Sequence, residues 1–364
     1  MRSVALLLIL LCWAGSAYAT WDDPAHGELL SAGHWQLSVA GLKIDDKIDI
    51  FDIRESRLDD VNAADRSDTL GDLKGLRLGS SWGASPRLTV SGGYQYLQLV
   101  VSPIRFELDR YQLSALYGPP PRPGKWRWFV GTAYRYERAA DQFLTRTDDL
   151  NRLVRRFDSD LSIQTTADRV VFTDGDVTVS SPIVTPDGTT KPALMAGLDD
   201  VQSQTLRWQA GLSRAFNPVR FSLFAALERH WLDGDLVHSF DDYGLDDAML
   251  SALGVDNSLK RTETVWQLGA SCHVDVSRRL AGRLSWMWLK ADRGAGLDVI
   301  DTNHHLRAEL YYAVMDQVTF HLGAEYFYRQ LNGIVPVLYN RYTQTTFDHD
   351  YGFAFAGLTV HFGD

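Results

Sequence analysis

The stretch that decides the fold is "KWRWFVGTAYRYER", Lys125 to Arg138. One parity carries Trp126, Trp128, Val130, Thr132, Tyr134 and Tyr136; the other carries Arg127, Phe129, Gly131, Ala133, Arg135 and Glu137. Alternation of this kind marks a β-strand, because successive side chains point to opposite faces. In a water-soluble sheet the apolar face packs on a core and the charged face meets water. Here the apolar face is wide and aromatic, and the charged face also holds Gly and Ala. The combination fits an inside-out molecule with lipid outside and a polar interior.

Working outward, twelve segments read as strands, near 34–43, 74–83, 87–99, 109–118, 125–138, 204–215, 219–232, 260–274, 279–291, 303–314, 317–330 and 349–362. Their connections alternate in length. Short ones hold "GASPR", "GPPPRPG", "FNPVR", "DVSRR" and "MDQ"; long polar ones lie at about 44–73, 100–108, 139–203, 233–259, 292–302 and 331–348. A meander with short turns at one end and long loops at the other is the habit of an outer-membrane barrel, and an even strand number puts both termini at the short-turn end. A soluble sandwich has no reason to sort its loops this way. No fixed-period repeat speaks for a propeller or solenoid.

One parity continues from strand to strand as Trp35, Leu37 and Val39, then Leu76, Leu78 and Trp82, then Tyr111, Leu113 and Tyr117. It goes on through Leu206, Trp208 and Leu212, then Trp266 and Leu268, then Leu284, Trp286 and Trp288, then Leu306, Leu310 and Tyr312, then Phe320, Leu322 and Tyr326. Trp and Tyr gather near strand ends, where amphipathic rings sit at lipid headgroups. The last strand, "YGFAFAGLTVHF", resembles the terminal assembly signal of bacterial outer-membrane β-barrel proteins, with Phe362, Val360 and Leu358 alternating back from the end and Gly363 and Asp364 added beyond it. The resemblance covers the mature chain at the level of architecture and names no subfamily. It implies an all-β, transmembrane, antiparallel up-and-down barrel in the outer membrane of a Gram-negative bacterium. It also implies outer-membrane lipid and lipopolysaccharide as surroundings, and a barrel-assembly machinery that reads the C-terminal strand.

The bulk properties agree. Arg2, the apolar run Val4 to Cys12 and Ala17-Tyr18-Ala19 predict a signal peptide over 1–19, with the barrel over 20–364. Cys12 raises a lipoprotein alternative, but Leu11 stands before it where a small residue is wanted. With the signal removed, Cys272 is the only cysteine, so no intrachain disulfide or cysteine-based zinc site is expected. No segment approaches the roughly 18 apolar residues of a transmembrane helix. A net charge of -10 argues against a nucleic-acid partner.

The opposite parity is the expected lumen. It carries Arg77, Arg127, Arg135, Arg207, Arg220, Arg283, Arg307 and Arg329, with Glu137, Glu228, Glu263, Glu309 and Glu325, and with His230, His273, His305, His321 and His361. Acid gathers instead in the loops; Asp45, Asp46, Asp49, Asp52, Glu55, Asp59 and Asp60 crowd the first one. An Arg or Lys on the lipid face near the midplane costs about 2–4 kcal/mol, so inward placement is expected. Two consequences stand side by side. Inward Arg and Glu pair and stitch the barrel shut, or surplus guanidinium groups make a path for small polar, anionic solutes. No cofactor is implied.

In the longest loop, near 139–203, "RTDDLNRLVRRF" (146–157) reads as a short amphipathic helix and "RVVFTDGDVTVSS" (169–181) as a hairpin around Asp174-Gly175. This segment is expected to form a lid, with a constriction in the mouth or an extension of the wall to fourteen strands as alternatives. Catalysis is not expected. "DTNHHLRAE" offers Asn303, His304 and His305, and "FDHDYG" offers His349 between two aspartates, but no serine stands at a recognisable spacing from them. Beside the channel stand two alternatives, a lipid hydrolase ranked last and, ahead of it, a plugged or structural barrel. The latter resembles either an autotransporter translocator without a passenger or the partner of a surface-polymer assembly.

Overall fold

The computed structural model describes residues 29–44, 72–101, 104–120, 122, 124–155, 162–175, 177–245, 258–294, 297, 301–328 and 351–363. The signal segment, the acidic first loop, Arg329 and His349 lie outside them.

Twelve strands form the wall: β1 (Trp35–Ile44), β2 (Asp72–Ser85), β3 (Leu88–Val101), β4 (Ile104–Tyr117), β5 (Trp126–Ala139), β10 (Ala196–Phe216), β11 (Val219–His238), β12 (Arg261–Asp275), β13 (Leu280–Asp292), β14 (Thr302–Met315), β15 (Val318–Phe327) and β16 (Tyr351–Phe362). Each pairs antiparallel with its neighbours in chain order, and β1 closes on β16 with Trp35 opposite Phe362. Closure leaves no edge, the condition for crossing a bilayer with strands. The expected barrel is therefore present. One connection differs from its expectation: β3 runs to Val101 and β4 begins at Ile104, so most of the stretch expected as a long polar loop belongs to two strands.

The wall is apolar on its outside. Leu113 is 60 % exposed and Trp266 55 %, whereas Glu137 and Glu325 on the other parity are fully buried. Rings cluster toward both strand ends. Trp35 stacks on Trp82 with centroids 5.5 Å apart and Tyr117 meets Trp128 at 5.7 Å near the short turns; the exposed His304 and Tyr328 meet at 6.2 Å at the loop ends of β14 and β15. Two aromatic girdles around an apolar band mark a transmembrane barrel of the outer-membrane kind.

β10 and β11 are 21 and 20 residues long, about twice what a bilayer crossing needs. The surplus rises beyond the membrane on the loop side. There the register shifts between Asp199 and Gln202, and Asp200 takes a left-handed φ of 48°. Such a bulge bends the hairpin. β6 (Gln142–Leu144) pairs onto the raised part of β10.

The long loop folds on this hairpin. Helix α1 (Thr147–Arg155) has Asp148 and Asp149 in its first turn, where carboxylates suit the helix dipole. A separate sheet follows, of β7 (Ser162–Thr165), β8 (Arg169–Asp174) and β9 (Val177–Pro182). The Asn151 amide clamps β7 in both directions. It donates to the Ile163 carbonyl at 2.5 Å and accepts from the Ile163 N–H at 2.7 Å. Leu150, Ile163, Val170, Phe172, Leu194, Ala196, Phe240, Tyr243 and Leu245 form its core. Helix and hairpin are where the sequence placed them, but the hairpin stays out of the wall, so the fourteen-strand alternative falls. The β7–β9 strands are too short and too well packed on their own core to enter a bilayer.

Which side the cap occupies follows from parity. His238 shares the inward parity of Glu228 and His230 on β11, stacks on Phe240 with ring centroids 5.1 Å apart, and faces Ala196 across the ladder. Ala196 and Phe240 both belong to the cap core. The cap is thus seated on the inner face of the raised hairpin, on the side of the barrel mouth.

Candidate functional site

Every expected lumen residue among the described ones lies on the inner parity, and most are buried. Arg77, Arg127, Arg135, Arg207, Arg307, Glu228, Glu309, Glu325 and His321 are all under a tenth exposed; Arg220, Arg283 and His305 are half-buried.

Arg135, Arg207, Arg283, Arg307, Glu228, Glu309, Glu325 and His305 take part in ionic groups, of which three are defined by their contacts. On β4, β5, β10 and β11, Glu137 accepts from Arg110 at 2.5 Å and from the Ser203 hydroxyl at 2.8 Å, with Arg135 at 3.3 Å. Glu228 accepts from Arg207 at 3.0 Å and faces His230 at 3.0 Å, and His230 meets the Thr205 hydroxyl through its other ring nitrogen. On β13, β14 and β15, Arg307 bridges Glu309 at 2.5 Å and Glu325 at 3.0 Å, Arg283 stands 3.5 Å from Glu309, and His305 lies 2.9 Å from Glu325. Between them Glu263 takes Arg261 at 2.7 Å and Arg293 at 3.2 Å. The polar barrel interior makes such pairs affordable, because each buried carboxylate has a guanidinium and a hydrogen-bond donor at hand.

Arg110, Arg261 and Arg293 were not among the expected residues. Arg110 and Arg261 share the parity of Gln112 and Glu263, so alternation could have found them. Arg293 follows the end of β13 and carries no such signal.

An apolar element also runs through the interior. Phe129, Gly211, Phe224, Gly269, Met287, His305 and Phe327 are successive cross-strand partners, one rung over seven strands from β5 to β15. Large residues alternate with glycine at its start. A Cβ at Gly211 would stand 2.2 Å from the Phe129 ring, and one at Gly269 2.2 Å from the Phe224 ring. The ring tips therefore occupy the space over bare backbone that a side chain would fill. Phe355 does the same over Gly323. Cations join them: Arg307 sits 4.9 Å from the Phe355 ring and Arg283 5.0 Å from that of Tyr311. The sequence hinted at this through the Gly and Ala on the charged parity of β5.

On the short-turn side the interior opens into a cavity of about 580 Å³. Its lining holds six arginines, Arg77, Arg207, Arg278, Arg279, Arg283 and Arg307, against two carboxylates, Asp275 and Glu309. His273, His321 and His361 and a set of Ser, Thr and Gln side chains complete it. Arg278, Arg279 and Asp275 are exposed at its turn-side rim, whereas Arg207 and Arg307 lie deeper and already meet Glu228, Glu309 and Glu325.

The histidine-rich segment does not converge. Asn303 is buried on the inner side, His304 is exposed on the outside against Trp286 at 6.0 Å, and His305 returns inward. Alternation sends neighbours to opposite faces of the wall. Among the described residues no group of three or more His, Cys, Asp or Glu could hold a metal ion.

No protein-family model matches the chain, and no curated protein matches it. Solved structures do. The translocator domain of the autotransporter NalP from Neisseria meningitidis is similar at 10 % identity and a TM-score of 0.45, over 92 % of this chain and 89 % of that one. The β-domain of the Bordetella autotransporter BrkA is similar at 13 % identity and a TM-score of 0.40, over 90 % and 98 %. The NanC porin is similar at 9 % identity and a TM-score of 0.40, over 89 % and 98 %.

Proposed function

We propose that the barrel is a passive outer-membrane channel for small hydrophilic anions. The observation that carries this reading is the cavity on the short-turn side, whose lining holds six guanidinium groups and two carboxylates, a surplus that remains after Arg207 and Arg307 are matched with Glu228 and Glu325 behind the lining. A surplus of guanidinium groups along a narrow path raises the local concentration of counter-ions and repels cations. The cap on the inner side of the raised hairpin supplies a lid at the opposite mouth. Planar-bilayer recording of the folded protein tests the proposal. A reversal potential displaced toward the anion in a salt gradient, shrinking in Arg283→Gln, is the expected result.

A second reading has its own support. The carboxylates of the three ionic groups are at most 5 % exposed, so their side chains fill interior space. A barrel stitched in this way acts as a structural element or as the partner of another machine. Correctly folded protein that passes no current in any salt favours this reading over the first.

A further inference from the structure

Arg207 pairs with Glu228 through one nitrogen only. Its Nη1 donates at 3.0 Å, while Nε and Nη2 are buried and have no hydrogen-bond partner. These two N–H groups lie on the same edge of the guanidinium plane, the edge that meets a carboxylate or phosphate through two parallel bonds. Arg207 lines the short-turn cavity, and Arg77 and Arg307 line it too. A buried cation with two unfilled donors is costly, and an acceptor placed against the fork removes that cost.

We propose that the short-turn vestibule contains an oxyanion subsite in which the side-on fork of Arg207 holds one phosphate or carboxylate group, bidentately, while Glu228 fixes the guanidinium from its other end. The subsite rests on the anion-channel reading for its role in transport, but not for its existence. It sits on the side of the short turns, which in outer-membrane barrels face the periplasm. Its ligand therefore enters from that compartment. Gln209 supplies the rival explanation, since its Oε1 is also buried without a partner and stands two residues along the same strand.

The test is isothermal titration of folded, detergent-solubilised barrel with inorganic phosphate and, separately, with acetate. The pair shows whether the fork prefers the phosphate or the carboxylate source of the same chemistry. Arg207→Lys keeps a cation beside Glu228, and with it the fold, but has no fork. It is expected to bind at least about tenfold more weakly, the scale of a charge-assisted hydrogen bond. Gln209→Ala removes the rival acceptor and is expected to keep or tighten binding. Binding by the native chain that is undetectable for both anions, or equal in Arg207→Lys, overturns the subsite. Bilayer conductance separates the two claims. Binding without current sinks the channel and keeps the subsite; anion-selective current without binding does the reverse.

Discussion

Gly269 shows how single residues shape the interior. The Phe224 ring occupies the space a side chain would take there, so Gly269→Val forces the ring toward the barrel axis. Overpacking of this kind costs about 1–3 kcal/mol. Urea unfolding of the refolded protein in lipid vesicles is expected to show that loss; an unchanged midpoint would mean the ring has room to move. Glu137 makes the electrostatic counterpart. It is fully buried between Arg110 and Arg135, and Glu137→Ala strands both guanidiniums without their carboxylate. The expected cost is about 3–5 kcal/mol by the same measurement. Asp233→Asn breaks the exposed pair with Lys260 and is expected to leave the midpoint where it was, since solvent screens that pair.

At the scale of elements, wall and cap answer to different solvents. Leu223 lies on the outer face of β11, exposed to the apolar surroundings. Leu223→Arg is expected to cost about 2–4 kcal/mol in folding into bilayers, the penalty of a cation near the lipid midplane. A cost near zero would place β11 elsewhere than in hydrocarbon. The cap instead has a water-facing exterior and its own core. Phe172 is buried in that core against Phe240, with ring centroids 5.7 Å apart. Phe172→Ala is expected to cost the cap about 3–5 kcal/mol. Hydrogen exchange would then quicken at Ile163 and Val170 and stay slow in β12. Equal loss of protection in both would mean that cap and wall unfold as one unit. The helix and hairpin of the cap were legible because each has a local cause, acidic residues at a helix start and an Asp-Gly turn. Its seat was not, because that depends on a bulge at Asp199 to Gln202 and on pairing with strands more than 30 residues away.

For the whole molecule, the decisive contrast is the apolar outside against the charged inside. Purified barrel is expected to need detergent to stay monodisperse, and sedimentation in plain buffer checks it; a monodisperse sample without detergent would exclude the membrane reading. The sequence by itself located the twelve wall strands, their antiparallel order and which face of each meets lipid, but left fourteen strands as an alternative that only the separate β7–β9 sheet removed. Those follow from a period of two and from alternating connection lengths, both written along the chain. Only the tertiary structure decided which carboxylate each arginine meets, that Phe129 and Phe224 lie over glycines of the next strand, and that Arg207 keeps one edge without a partner. The reason is register. Alternation assigns a side chain to a face, but its neighbours across the ladder are fixed by how far one strand slides against the next, and that offset is set only when the barrel closes with β1 on β16.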